Sequence, residues 1–81
     1  MKEGLKEMLK TVNDLLPGQS GEIIDIKMDG PLKKKLFEMG LTPGTKIQFV
    51  RTAPLGDPIN IKVREFHLGI RREMAKEIII K

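Results

Sequence analysis

The chain has 81 residues, with fifteen Lys and Arg against eleven Asp and Glu, so it carries a net charge of +4 and has room for one small core. It has no cysteine, tyrosine or tryptophan and only three phenylalanines. That excludes a disulfide framework and a thiol nucleophile, and leaves few stacking platforms for single-stranded nucleic acid. Residues 1–7 contain no apolar signal-peptide core and no apolar run approaches the ~18 residues of a membrane span, so a cytoplasmic location is expected.

Leu5, Met8, Leu9 and Val12 stand at i, i+3, i+4 and i+7 with lysines and glutamates between them, which predicts an amphipathic helix over 1–12. A helix this short needs a surface to cover. Met8 and Leu9 would lie over the rest of the domain or in a partner's groove. Leu15 and Leu16 form an apolar anchor ahead of a turn at Pro17-Gly18. Glu22 to Met28 alternates as a half-buried strand, with Ile24, Ile26 and Met28 on one face and Ile23 as the exception.

From Leu32 to Thr45 the local signals are dense. Leu32, Leu36 and Met39 share one helical face, while Lys33, Lys34, Lys35 and Glu38 fall largely opposite. Pro31 suits the first turn, and Gly40 suits the left-handed position past the end, with Leu36 and Leu41 as the apolar pair of a Schellman stop. Thr42-Pro43-Gly44-Thr45 reads as a type II turn, in which Gly44 must take φ > 0. A strand follows over 45–52, with Ile47 and Phe49 inward and Val50 breaking the pattern. Pro54, Gly56 and Pro58 then enforce a loop with Leu55 at its tip.

Ile59, Ile61 and Val63 alternate with Asn60, Lys62 and Arg64 as a strand with one wet face. The apolar parity then flips to Phe66, Leu68 and Ile70, which calls for a tight turn or bulge near Glu65. Arg71 to Lys76 is long enough for a helical turn or two, and Ile78 to Ile80 reads as a closing strand. The expected fold is mainly β: roughly five short strands closing into a small barrel, with one inserted helix, a helical turn before the last strand and the N-terminal helix.

Four stretches carry a likeness. They are Leu16-Pro-Gly-Gln-Ser-Gly-Glu-Ile23, Leu36-Phe-Glu-Met-Gly-Leu-Thr-Pro-Gly-Thr45, Ala53-Pro-Leu-Gly-Asp-Pro58 and Leu68-Gly-Ile-Arg-Arg-Glu-Met-Ala75. In this order they resemble the ferrous iron transport protein A family, the FeoA domain, over almost everything from Leu15 to Lys81. The resemblance implies an SH3-like barrel, also found as the C-terminal domain of iron-dependent repressors. It further implies a role in ferrous iron uptake beside the membrane transporter FeoB, which has a cytoplasmic GTP-binding region. Three features depart from the family's pattern: Glu65 where glycine is usual, Gly69 where alanine is frequent, and Lys33 to Lys35 where arginines are common. The first dozen residues also extend beyond its usual start.

No nucleophile elbow, catalytic triad or phosphate-binding loop is present, and Gly18-Gln-Ser-Gly21 lacks the Lys-Ser/Thr continuation that such a loop needs. A non-enzyme is expected. A ferrous ion is held by several converging imidazoles and carboxylates. Glu65 and His67 would share a strand face, with Asp57 conceivably near, but one histidine is a solvated turn residue more often than a ligand. Neither a stable metal site nor a cofactor is expected.

The expected function is that of an adaptor that binds and modulates a FeoB-type transporter through Leu55, Phe37 on the inserted helix, and Met8 and Leu9. For Leu55, tucking under the barrel end weighs more than partner contact. Two alternatives are a metal-responsive regulatory domain, for which the chain has no room for a DNA-reading helix-turn-helix, and a basic nucleic-acid-binding barrel. The Lys33 to Lys35 run bears on the second, though such a run is more often a solvated helix face.

Overall fold

The computed structural model describes residues 9–81. Its strands are β1 (Lys10–Thr11), β2 (Ser20–Ile26), β3 (Lys46–Thr52), β4 (Ile59–Val63), β5 (Phe66–Ile70) and β6 (Ile78–Ile80). Helix α1 (Pro31–Glu38) follows β2, α2 (Arg72–Ala75) precedes β6, and a 3₁₀ turn (Val12–Asp14) follows β1. The six strands form one sheet in the order β1-β6-β2-β3-β4-β5, with every pairing antiparallel.

β2 divides its length between two partners. Ser20 to Glu22 pair with Gln48 to Lys46 of β3, and from Ile23 onward the strand pairs with β6. A bulge between Ile23 and Asp25 accompanies the change of partner and bends the ribbon over the core. It also settles which isoleucines point inward. Ile23 and Ile26 are buried and Ile24 is exposed, which corrects the expected alternation of Ile24 with Ile26. A second bulge between Phe49 and Arg51 accounts for Val50, the residue that breaks the pattern in β3.

The flip of parity after Val63 needs no bulge. Val63 pairs with Phe66 across a two-residue turn, so odd positions of β4 face even positions of β5. Arg64 carries the turn at φ 56°, one residue before Glu65.

α1 stops as its sequence specifies. Gly40 takes φ 96°, its N–H donates to the Phe37 carbonyl, and Leu41 N–H reaches the Leu36 carbonyl at 3.0 Å. Leu36 and Leu41 are both buried, whereas Leu32 on the first turn is 44% exposed. The following turn closes through Thr45 N–H to the Thr42 carbonyl at 3.0 Å, with Gly44 at φ 92°.

Most of the helix expected over 1–12 lies outside the described residues, and its last part is corrected. Lys10 and Thr11 are extended, facing Ile80 and Ile79, and Val12 begins the 3₁₀ turn. The reason lies in β6. Ile78, Ile79 and Ile80 are all buried, so β6 is an interior strand whose backbone needs a partner on each edge; β2 supplies one and Lys10–Thr11 the other. This is the sixth strand that the sequence did not announce. Among the described residues Phe49 is the largest fully buried side chain, in one core cluster with aliphatic residues of β2, β4 and β6.

Candidate docking surface

The loop between β3 and β4 is short and braced. Gly56 N–H donates to the Ala53 carbonyl at 2.8 Å, and Ala53 N–H donates to the Pro58 carbonyl at 2.9 Å across its base. Gly56 takes φ 90°, where a side chain would strain the backbone. The tip residue Leu55 is 96% exposed, so the expectation that it tucks beneath the barrel is overturned. The turn is closed by its own backbone, so no inward pocket is left for that side chain.

Arg72 holds this loop to the body. Its Nε donates to the Gly56 carbonyl at 2.6 Å, its backbone N–H to Asp57 Oδ1 at 3.0 Å, and its Nη1 to Asn13 Oδ1 at 2.9 Å. One guanidinium thus joins the Leu55 loop, the 3₁₀ turn and α2. Leu16, which follows the 3₁₀ turn, is 64% exposed. It opens a turn in which Leu16 N–H donates to Gln19 Oε1 at 2.8 Å and Gln19 N–H returns to the Leu16 carbonyl at 2.9 Å. The sequence reading placed Leu16 in an apolar anchor and Arg72 in a helical turn, and assigned neither to a docking surface. Arg72 carries no local signal, but Leu16 had one: beside buried Leu15, only one of the two neighbours can face the core.

Phe37 lies elsewhere. It is 38% exposed and shares a groove of about 420 Å³ with Gly30, Lys33, Lys34 and Glu38. Lys33 Nζ stands 5.7 Å from its ring centroid, within cation–π range. None of these residues lines the groove beside the Leu55 loop, formed by Arg51, Thr52, Ala53, Pro54 and Pro58 with β4 and β5 residues. Leu9, 36% exposed, sits just ahead of β1, and Met8 lies outside the described residues. Phe37 and the Leu55 loop therefore do not share one groove. At the end of β2 beside α1, Asp25 Oδ1 accepts the Ile26 N–H at 2.8 Å, and Lys27 Nζ lies 3.5 Å from Oδ2. That hydrogen bond leads in holding the Asp25 carboxyl below its ordinary value, with Lys27 and Lys33 adding to it.

Glu65, His67 and Asp57 are not brought together. Glu65 is in the turn at one end of the β4–β5 hairpin, while Asp57 precedes Ile59 at the other, roughly 15 Å away at strand spacing. His67 Nδ1 lies 3.0 Å from Asn60 Oδ1, and the residue facing His67 on β4 is Lys62, a cation where a bound cation would need a donor. Among the described residues no three His, Cys, Asp or Glu side chains gather as metal ligands.

The family model of the FeoA domain matches residues 10–81. The Fe(2+) transport protein A/Fe(2+) transporter FeoB fusion protein of Porphyromonas gingivalis is 30% identical over 70 residues, which is 86% of this chain and 8% of that protein. The solution structure of iron(II) transport protein A from Clostridium thermocellum is 35% identical with a TM-score of 0.84, over 89% of this chain and 44% of that one. The Stenotrophomonas maltophilia FeoA complexed with zinc, described as a procaryotic SH3 domain protein, shares the fold at 20% identity and a TM-score of 0.78, over 89% of each chain. The chain thus spans less than half the length of the first two relatives.

Proposed function

This chain belongs to the FeoA domain family, and from that premise we propose that it is a non-enzymatic accessory of ferrous iron uptake that docks on the cytoplasmic GTP-binding region of a FeoB-type transporter and modulates it. Iron in this reading is the transporter's cargo, and no ligand set in the accessory is required for it. The observation that carries the docking is Leu55, a large aliphatic side chain almost fully exposed on a loop fixed by its own backbone and by Arg72. A pre-ordered anchor loses little conformational freedom on binding, which is how a few residues come to dominate an interface. The Porphyromonas gingivalis relative, in which a transport protein A is fused to FeoB, supports the choice of partner.

The test is calorimetric titration of the transporter's cytoplasmic region with this protein, under reducing conditions, with and without nucleotide, and the GTP hydrolysis rate followed in parallel. Binding is expected, and Leu55→Ala is expected to weaken it by about 2 kcal/mol. The same substitution changes folding stability by less than about 0.5 kcal/mol, because the side chain touches little of its own protein. Absence of binding in both nucleotide states, or unchanged affinity with Leu55→Ala, overturns the assignment.

A further inference from the structure

A second groove lies away from the Leu55 loop, on the wet face of β3 and β4. It measures about 550 Å³ and is lined by Ser20, Lys46, Gln48, Lys62 and Arg64 together with the turn at Gly44 and Thr45. The register explains why three cations share it. Ser20, Gln48 and Lys62 are consecutive cross-strand neighbours on β2, β3 and β4. Ile47 pairs with Val63, so Lys46 on β3 and Arg64 in the turn just past β4 flank each other. Adjacent strands are about 5 Å apart, and like charges side by side on a sheet repel.

Among the described residues no carboxylate forms an ion pair with these cations. The ion pairs among the described residues are Lys27 with Asp25 and Lys81 with Glu22. Glu22, which faces Lys46 in the register, is thus paired with Lys81 at 3.8 Å.

From this geometry we infer a docking groove for an extended acidic segment of a protein partner, with Asp or Glu at alternate positions. Lys62 on β4 and Arg64, the first residue of the turn after it, are two residues apart, about 7 Å along the extended chain, which is the spacing of alternate side chains in a peptide laid along β4. Lys46 sits to one side to meet a third carboxylate, and the Ser20 hydroxyl adds a donor. The surface is a groove between strand side chains and a turn, a shape that admits a narrow peptide and leaves a flat lipid surface resting on its rim. The site shares no residue with the groove beside Leu55, so it stands whether or not that loop is the transporter contact.

The experiment is a titration of the full chain, followed by amide chemical shifts, with a synthetic peptide alternating Glu and Ser. The same peptide with Gln for Glu, phosphatidylserine vesicles and a single-stranded oligonucleotide form the other arms. Expected are shifts confined to Ser20, Lys46, Gln48, Lys62 and Arg64, none with the Gln peptide, and weaker binding to vesicles and oligonucleotide. Lys62→Gln or Arg64→Gln should each weaken the peptide roughly threefold and the pair roughly tenfold. Lys34→Gln with Lys35→Gln removes as much charge from α1 and should leave the affinity unchanged. All variants are at exposed positions, and their amide spectra report that the fold is kept. Shifts centred on α1, equal weakening by both charge-matched pairs, or tighter binding of vesicles or oligonucleotide overturns the inference.

Discussion

Arg64 holds φ 56° in a two-residue hairpin, a conformation that glycine adopts without the steric cost a side chain meets there. Arg64→Gly should therefore raise stability by about 0.5–1 kcal/mol in denaturant unfolding, the relief of strain being partly offset by a freer unfolded chain. At Arg72 the direction is opposite. Arg72→Ala removes the donors to the Gly56 and Asn13 oxygens and should cost about 1–2 kcal/mol, and it should weaken the proposed docking from a position behind the loop. Arg72→Lys is expected to restore little, since a single ammonium lacks the fork that reaches both oxygens. Asp25 sets an acid dependence. Its carboxyl is lowered below 3.8, chiefly by the Ile26 N–H, so between the native value and 3.8 the unfolded chain binds more protons and stability rises with pH. That contribution is complete above 3.8 and is lost as pH falls through the native value. Asp25→Asn should flatten this part of the acid unfolding curve, which pH-dependent denaturation monitors directly.

Whole elements differ in how far their own residues determine them. The α1 stop, the Thr42–Thr45 turn and the β4–β5 hairpin were legible because each obeys a rule spanning six residues or fewer: a glycine at the left-handed site, Pro-Gly in order, apolar parity reversed across two residues. The inward face of β2 was not legible. Its bulge comes from a change of partner from β3 to β6, and that information lies in residues 46–48 and 78–80. β1 was misread for the same reason, since the helical spacing around Leu9 is overridden by the unfilled edge of β6. The tethering of the Leu55 loop depends on Arg72, sixteen residues beyond the glycine it holds. A close approach shows the same dependence: a Cβ on Gly21 would stand 2.7 Å from Ile80 Cδ1 and 3.3 Å from the Lys81 carbonyl oxygen. Gly21→Ala should accordingly cost about 1–2 kcal/mol by thermal unfolding, with the β2–β6 amides shifting most in the spectrum.

Across the whole molecule, the sheet stays closed over its core only while β6 is flanked on both sides. Removing residues 1–11 should lower the melting midpoint on the order of 5–10 °C and make self-association rise with concentration, because the bared edge of β6 can pair with another chain. Light scattering alongside the melt distinguishes the two effects. The guanidinium of Arg72 has a different reach, fastening Asn13 across 59 residues of chain. During synthesis the Leu55 loop is made before Arg72, and closure of the link to Asn13 waits until residue 72 has emerged. A nascent chain stalled short of residue 72 would hold its leucine on a loop closed by backbone hydrogen bonds alone, without the guanidinium that ties it to the body.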